Sequence, residues 1–268
     1  MKVVSYFSCV LIFQFFFSLR TTAQNCSDIK VLGLKKMYPV KQLSIIDERD
    51  VMWHRRLWRE IDVTEKINQY LYFGNEKEKR NCSFYDMLYN DLRKGYIKAY
   101  DPKNDQFTKE LTVNELINLV GDSVYDENEK LIYKKLDSRS VVKYWLKEDW
   151  FFDGKYSKID VRIIGICPVK ITLDKNGNVL GYKQLFWLYF PNVRGVLTSM
   201  EAFKKEIDKS RISFDDVFIN RMFDSYIIQK EGEQTQHVRS HKTELDIKLE
   251  NEKTKQYSYK REVGLWGN

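Results

Sequence analysis

The stretch Glu148–Lys170, EDWFFDGKYSKIDVRIIGICPVK, gathers residues whose types could do chemistry. Glu148, Asp149 and Asp153 flank Trp150, Phe151 and Phe152. Two carboxylates beside aromatic rings are what glycoside hydrolysis uses, one as acid and one as base or nucleophile. The competing reading is local: Glu148 and Asp149 suit the polar end of a helix, and Asp153-Gly154 suits a turn. Cys167 raises nucleophilic catalysis, which needs an accessible thiolate. Its β-branched surroundings predict the opposite, a buried thiol whose pKa is raised. His237 and His241, in HVRSH, stand four apart, a spacing that places two imidazoles on one helical face. A zinc protease would carry a Glu between them, where Val238, Arg239 and Ser240 stand. His54 lies among Arg and Trp and reads as a surface residue. The chain carries no nucleophile elbow, phosphate-cradling glycine loop or dinucleotide fingerprint. The expectation is therefore no catalytic residue, no cofactor and no metal.

The elements that would position these residues follow from periodicity. DERDVMWHRRLWREID places Trp53, Leu57 and Ile61 at i, i+4 and i+8, which predicts a helix with one apolar stripe. Trp53 and Trp58 with Arg56 and Arg59 make a Trp/Arg mixture of the kind that anchors protein interfaces, so these four are candidate partner contacts. Ser83 with Asp86, and Thr112 with Glu115, predict two capped helices that stop at Gly95 and Gly121. Residues 122–138 read as loop, and SVVKYWLKEDW as a further helix. Beyond Ile159 the period changes to that of strands. Asn176-Gly177 between two β-branched runs predicts a hairpin with Cys167 opposite Phe186 and Ile163 opposite Phe190, unless Gly165 or Gly181 hosts a bulge. Alternation puts Val161, Ile163, Cys167, Val169 and Ile171 on one face and Ile164 and Ile166 on the other. A short helix is expected near Met200–Ile207. A longer one starts at Ser213, with Phe214, Phe218, Met222 and Tyr226 as its stripe. The charged tail reads as an arm or a solvated helix around Leu245 and Leu249, and it ends in Leu265 and Trp266, a candidate docking tip. The fold class expected is α+β: helices packed around a small antiparallel sheet with a long central hairpin, and a charged C-terminal arm.

The N-terminus reads as an export signal: Lys2, an apolar run from Val3 to Leu19, then small residues Thr21 and Ala23 before a cleavage site. The organisation expected is signal peptide 1–23, N-terminal arm 24–49, core domain 50–230 and charged tail 231–268. Losing Lys2 and Arg20 lowers the formal charge from +7 to about +5. That surplus alternates in sign along the chain, whereas nucleic-acid binders concentrate cations on one face, so no nucleic-acid partner is expected. Cys26, Cys82 and Cys167 are too far apart for a metal knuckle, and a Cys26–Cys82 bridge is open to an oxidising compartment. The 16 Phe, 17 Tyr and 6 Trp supply ring area suited to a dense core or to partner contacts.

Five strings occur in family order: DVMWHRRLWREIDVTEKIN, LKEDWFFD, DVRIIGICPV, LFWLYFP and FDDVFINRMFDSYI. Together they resemble the GldN/PorN family of gliding-motility and type IX secretion proteins, over about Asp50 to Gln229. The resemblance implies a non-catalytic, periplasmic structural protein that self-associates in a ring beneath the outer membrane. It implies two partners, an outer-membrane lipoprotein of the GldK/PorK type and the periplasmic part of a GldM/PorM motor protein. An exported carbohydrate-binding or carbohydrate-cleaving protein using Glu148, Asp149 and Asp153 is the alternative.

Overall fold

Alternation, more than any helical period, organises the long apolar segments of this chain. The computed structural model describes residues 39–72, 82–125, 131–134, 136–174, 176–202 and 212–231. Strand β1 (Val51–Asp62) and helix α1 (Phe84–Arg93) come first, then the short pair β2 (Ala99–Tyr100) and β3 (Glu110–Leu111). Helix α2 (Val113–Val120) leads to a small hairpin of β4 (Asp122–Tyr125) and β5 (Leu131–Lys134). The long strands β6 (Val141–Asp153) and β7 (Lys158–Leu173) precede β8 (Val179–Gln184) and β9 (Leu188–Tyr189). Helix α3 (Phe190–Leu197), the pair β10 (Glu201–Ala202) and β11 (Ile212–Ser213), helix α4 (Phe214–Ile219) and strand β12 (Tyr226–Lys230) complete the order.

The main sheet runs β12-β1-β6-β7-β8 with β9 also on β7, every pair antiparallel, and it curls into a half-barrel. This overturns the expected α+β arrangement of helices around a small sheet: the fold is mostly β. The two segments expected to be its first and fourth helices are β1 and β6, paired along nearly their whole length. The error has a simple cause. Trp53, Leu57 and Ile61 stand four apart, and four is a multiple of the strand period as well as close to one helical turn. The ladder shows which repeat won, because Arg55 and Arg59 occupy the same face as Leu57 and Ile61.

Other segments changed too. Residues 122–125 and 131–134, inside the expected loop, are β4 and β5. The helix expected from Ser213 stops at Ile219; two residues on, Arg221 takes a positive φ of 51°, and Tyr226–Lys230 pair with β1 as strand β12. Helix α3 begins ten residues before the expected Met200, with Pro191 in its first turn, where a missing N–H costs nothing. Of the expected 200–207 helix, Glu201–Ala202 are strand, and 203–211 lie outside the described residues.

Local rules held where the signal was chemical. Ser83/Asp86, Thr112/Glu115 and Ser213/Asp216 each form a complete capping box. The Asn176-Gly177 hairpin forms, with Gly177 at φ +85°, in the expected register from Val169↔Gln184 to Thr172↔Gly181. Because β8 ends at Gln184, Phe186 and Phe190 never reach the expected partners; instead Gly165 pairs with Tyr189 and Ile166 with Leu188.

A bulge corrects the face assignment. Lys147 opposes Gly165 while Glu148 opposes Ile163, which leaves Ile164 as the extra residue. Parity flips there. Ile163 therefore joins Ile166 in the main core, and Cys167 and Val169 turn to the opposite face. The core face packs Ile61, Tyr144 and Leu146 against rings from three helices, Phe84, Phe190 and Phe218 among them. Phe84 is the hub, with ring centroids 4.4 Å from Phe214, 5.4 Å from Tyr144 and 5.5 Å from Phe218. Ring pairs of this kind add about 0.5–1.5 kcal/mol each beyond their buried area. Trp187, Phe107 and Tyr100 cover Cys167 and Val169 on the other face, with Trp58 and Trp145 packed alongside. No helix among the described residues is long and apolar enough to cross a membrane.

Candidate docking surface

Strands β1 and β6 carry the charged residues that the sequence singles out, and the ladder sorts them onto opposite faces. On the core face, Glu148 is fully buried and accepts from Trp150 Nε1 at 2.8 Å and from Arg221 Nη1 at 2.8 Å. Arg59, also buried, donates to Ser225 Oγ at 2.9 Å and to the Ser225 carbonyl at 2.6 Å. Burial pulls the Arg59 pKa down to about 10, with the charge of Glu148 opposing the shift. The Arg59 and Arg221 guanidinium groups lie 5.9 and 5.5 Å from the Trp150 ring centre, so one indole is flanked by two cations.

The opposite face holds separate pairs. Asp149 takes both Arg56 donors, at 2.6 and 2.8 Å, and His54 Nε2 lies 3.4 Å away. Burial alone would raise the Asp149 carboxyl; the hydrogen bonds and charge of Arg56, with His54 beside it, hold it below its ordinary value. Asp105, from the loop between β2 and β3, accepts from Trp58 Nε1 at 2.5 Å and pairs with Lys147 at 3.2 Å. Glu60 receives Trp145 Nε1 at 3.0 Å and stands 3.0 Å from buried Lys143, whose ammonium lies 3.6 Å from the Tyr182 ring centre. Asp153 accepts from the Lys155 and Tyr156 amides and so closes the β6–β7 turn, as its Asp-Gly sequence suggests.

These placements decide what the groups can do. Adjacent strand residues point to opposite faces, so Glu148 and Asp149 diverge and Asp153 is spent on a turn. They offer no shared space in which two carboxyls could flank one glycosidic bond. Cys167 is fully buried, its thiol pKa raised by burial. Among the described residues no group of three or more His, Cys, Asp or Glu side chains could hold a metal ion.

Of the candidate partner contacts, Arg59 is buried, Arg56 and Trp58 are half-buried and held by Asp149 and Asp105, and Trp53 is half-buried opposite Phe152. Leu265, Trp266, His237 and His241 lie outside the described residues, as do residues 1–38. Cys82 is disulfide-bonded, and Cys167 is the free cysteine among the described residues.

The family model for gliding motility associated protein GldN matches residues 46–267. The chain belongs to the GldN family. No curated protein matches the sequence. Membership ties the chain to gliding motility and type IX secretion. The matched range runs well past β12, so the charged tail belongs to the GldN-family region.

A GldN-family component must meet other proteins, and the exposed apolar side chains show where this one has surface to spare. Four of them cluster on the β7–β8 hairpin: Leu173 is 49% exposed, Val179 53%, Leu180 68% and Tyr182 48%. A second group, Met52 and Tyr156, sits at the opposite end of the sheet, and Ile45, 96% exposed, lies on the extended segment before β1. Strand β8 is an edge of the sheet, and no described strand pairs with its outer side. Sequence reasoning found the hairpin and missed its exposure. The signal was there: VLGY puts apolar residues on both faces of a short strand that lies at a sheet edge.

Proposed function

We propose that this chain is a non-catalytic structural subunit of a periplasmic ring in the type IX secretion and gliding machinery. In this reading it is exported by a cleaved signal peptide, assembles with an outer-membrane lipoprotein of the GldK/PorK type and engages the periplasmic part of a GldM/PorM-like motor. The observation that carries the reading is the family match over residues 46–267. Geometry adds support: the candidate catalytic carboxylates are spent on arginines, indoles and turn amides inside the fold. Surfaces for partners are proposed on strand β1, through Trp53, Arg56, Trp58 and Arg59, and at the Leu265–Trp266 tip of the tail. Trp58 and Arg59 would shape that surface from within, since their polar atoms bond inside the chain.

The test is co-expression with the lipoprotein, followed by size-exclusion chromatography. A very large co-eluting complex is expected. Separate elution of two folded proteins would overturn the reading.

A further inference from the structure

Strand β8 presents two different stripes to whatever lies beyond its edge. Tyr182 and Gln184 share one face of the ladder; Lys183 lies on the other, directly opposite Lys170 of β7. Lys183 forms no ion pair with a described residue, and the lysine opposite it would not offset its charge. An added strand that suits this edge would be apolar toward Tyr182 and acidic toward Lys183.

The chain contains such a segment. Glu244-Leu245-Asp246-Ile247-Lys248-Leu249-Glu250 alternates strictly, with Leu245, Ile247 and Leu249 on one side and three acids with one lysine on the other. A period of two is the strand signature, and it fits these seven residues better than a helix built on Leu245 and Leu249. We propose that Glu244–Glu250 of one copy adds as a further strand to the β8 edge of a second copy, linking subunits head to tail. The proposal rests on the ring-subunit reading and names the contact that would build the ring.

The tail departs from β12, and β8 lies at the far side of the sheet, four strand spacings or roughly 19 Å away. Helices cover one face of the intervening strands and the Phe107–Trp187 layer covers the other. A neighbour aligned edge to edge offers its β8 where the tail leaves. Such a contact uses two different surfaces, so repetition closes into a ring or continues as a filament. Main-chain hydrogen bonds would supply the affinity and the two side-chain stripes the register.

Charge reversal tests this on the full-length chain by sedimentation velocity over a concentration series. Glu244→Lys, Asp246→Lys and Glu250→Lys together are expected to weaken self-association roughly tenfold or more, because acids meeting lysines become like charges. Lys183→Glu should do the same, and combining it with the tail set should restore association. Copies bearing Tyr182→Cys and differently tagged copies bearing Ile247→Cys should cross-link to each other on oxidation. Undiminished association of the tail variant overturns the proposal, and so does a cross-link formed only when both cysteines share one chain. If instead the unaltered chain stays monomeric even beside the lipoprotein, the ring-subunit reading itself falls. A ring that forms regardless of the tail charges removes only the strand-addition contact.

Discussion

Replacing Glu148 by Gln removes one negative charge from a site closed to water. In the native protein that carboxylate accepts from Trp150 and from Arg221, both at 2.8 Å, and its charge favours the buried Arg59 cation. A glutamine offers one acceptor oxygen in place of two, and its amide would set a donor against the Arg221 donors. Each charge-assisted hydrogen bond contributes about 1.5–3 kcal/mol, and breaking a buried ion pair by removing one partner costs about 3–5 kcal/mol. Side-chain exposure of Arg221, at 29%, lets it recover part of its solvation, so the lower end applies. We expect Glu148→Gln to cost about 3 kcal/mol, a large share of the ~5–15 kcal/mol typical of a domain. For a chain of this size that is a fall of about 6–12 °C in Tm, read by circular dichroism, with a matching drop in urea midpoint. The double variant Glu148→Gln/Arg221→Gln should lose less than the two single losses added together. A single variant within about 0.5 kcal/mol of the parent would refute the reasoning, because surface substitutions do no more than that.

Two further outcomes follow from the same geometry. A Cβ at Gly165 would lie 2.6 Å from Phe107 Cζ and 3.1 Å from Trp187 Cε3. Gly165→Ala should therefore cost about 1–3 kcal/mol and alter near-ultraviolet circular dichroism as those rings shift; an unchanged spectrum and melting point would contradict the close packing there. Arg56 holds the folded Asp149 carboxyl below its ordinary pKa, so as pH falls the unfolded chain takes up that proton first. The stability this pair provides is present above about pH 4 and is lost as pH falls through the depressed folded value. Urea midpoints should thus separate parent and Arg56→Gln at about pH 6 and converge toward about pH 2; a constant gap would exclude the linkage.

Some features were legible because one residue's chemistry dictates them. Ser83, Thr112 and Ser213 each find an acid three residues on, and each begins a helix. Gly177 turns the chain because a positive φ, here 85°, is needed there. The long apolar segments were not legible in this way. In β1 and β6 the choice between helix and strand depended on a partner 81 to 102 positions away, as in Asp62↔Lys143 and Val51↔Asp153. A spacing of four satisfies both periods, and no local term separates them. The candidate catalytic carboxylates had the same weakness, since Glu148 and Asp149 can converge only if the backbone between them is not extended.

The sequence by itself determined the caps, the central turn, the burial of Cys167 and the family, each carried by residue identity at short range. Tertiary structure alone decided that the two segments read as helices would be strands of a curled sheet, which face each isoleucine of β7 serves, and which edge stays open. The physical reason is that a strand has no internal hydrogen bonds. Its existence, register and facing are set only when a distant strand supplies the other half of the ladder, and one bulged residue, Ile164, reverses every side chain that follows.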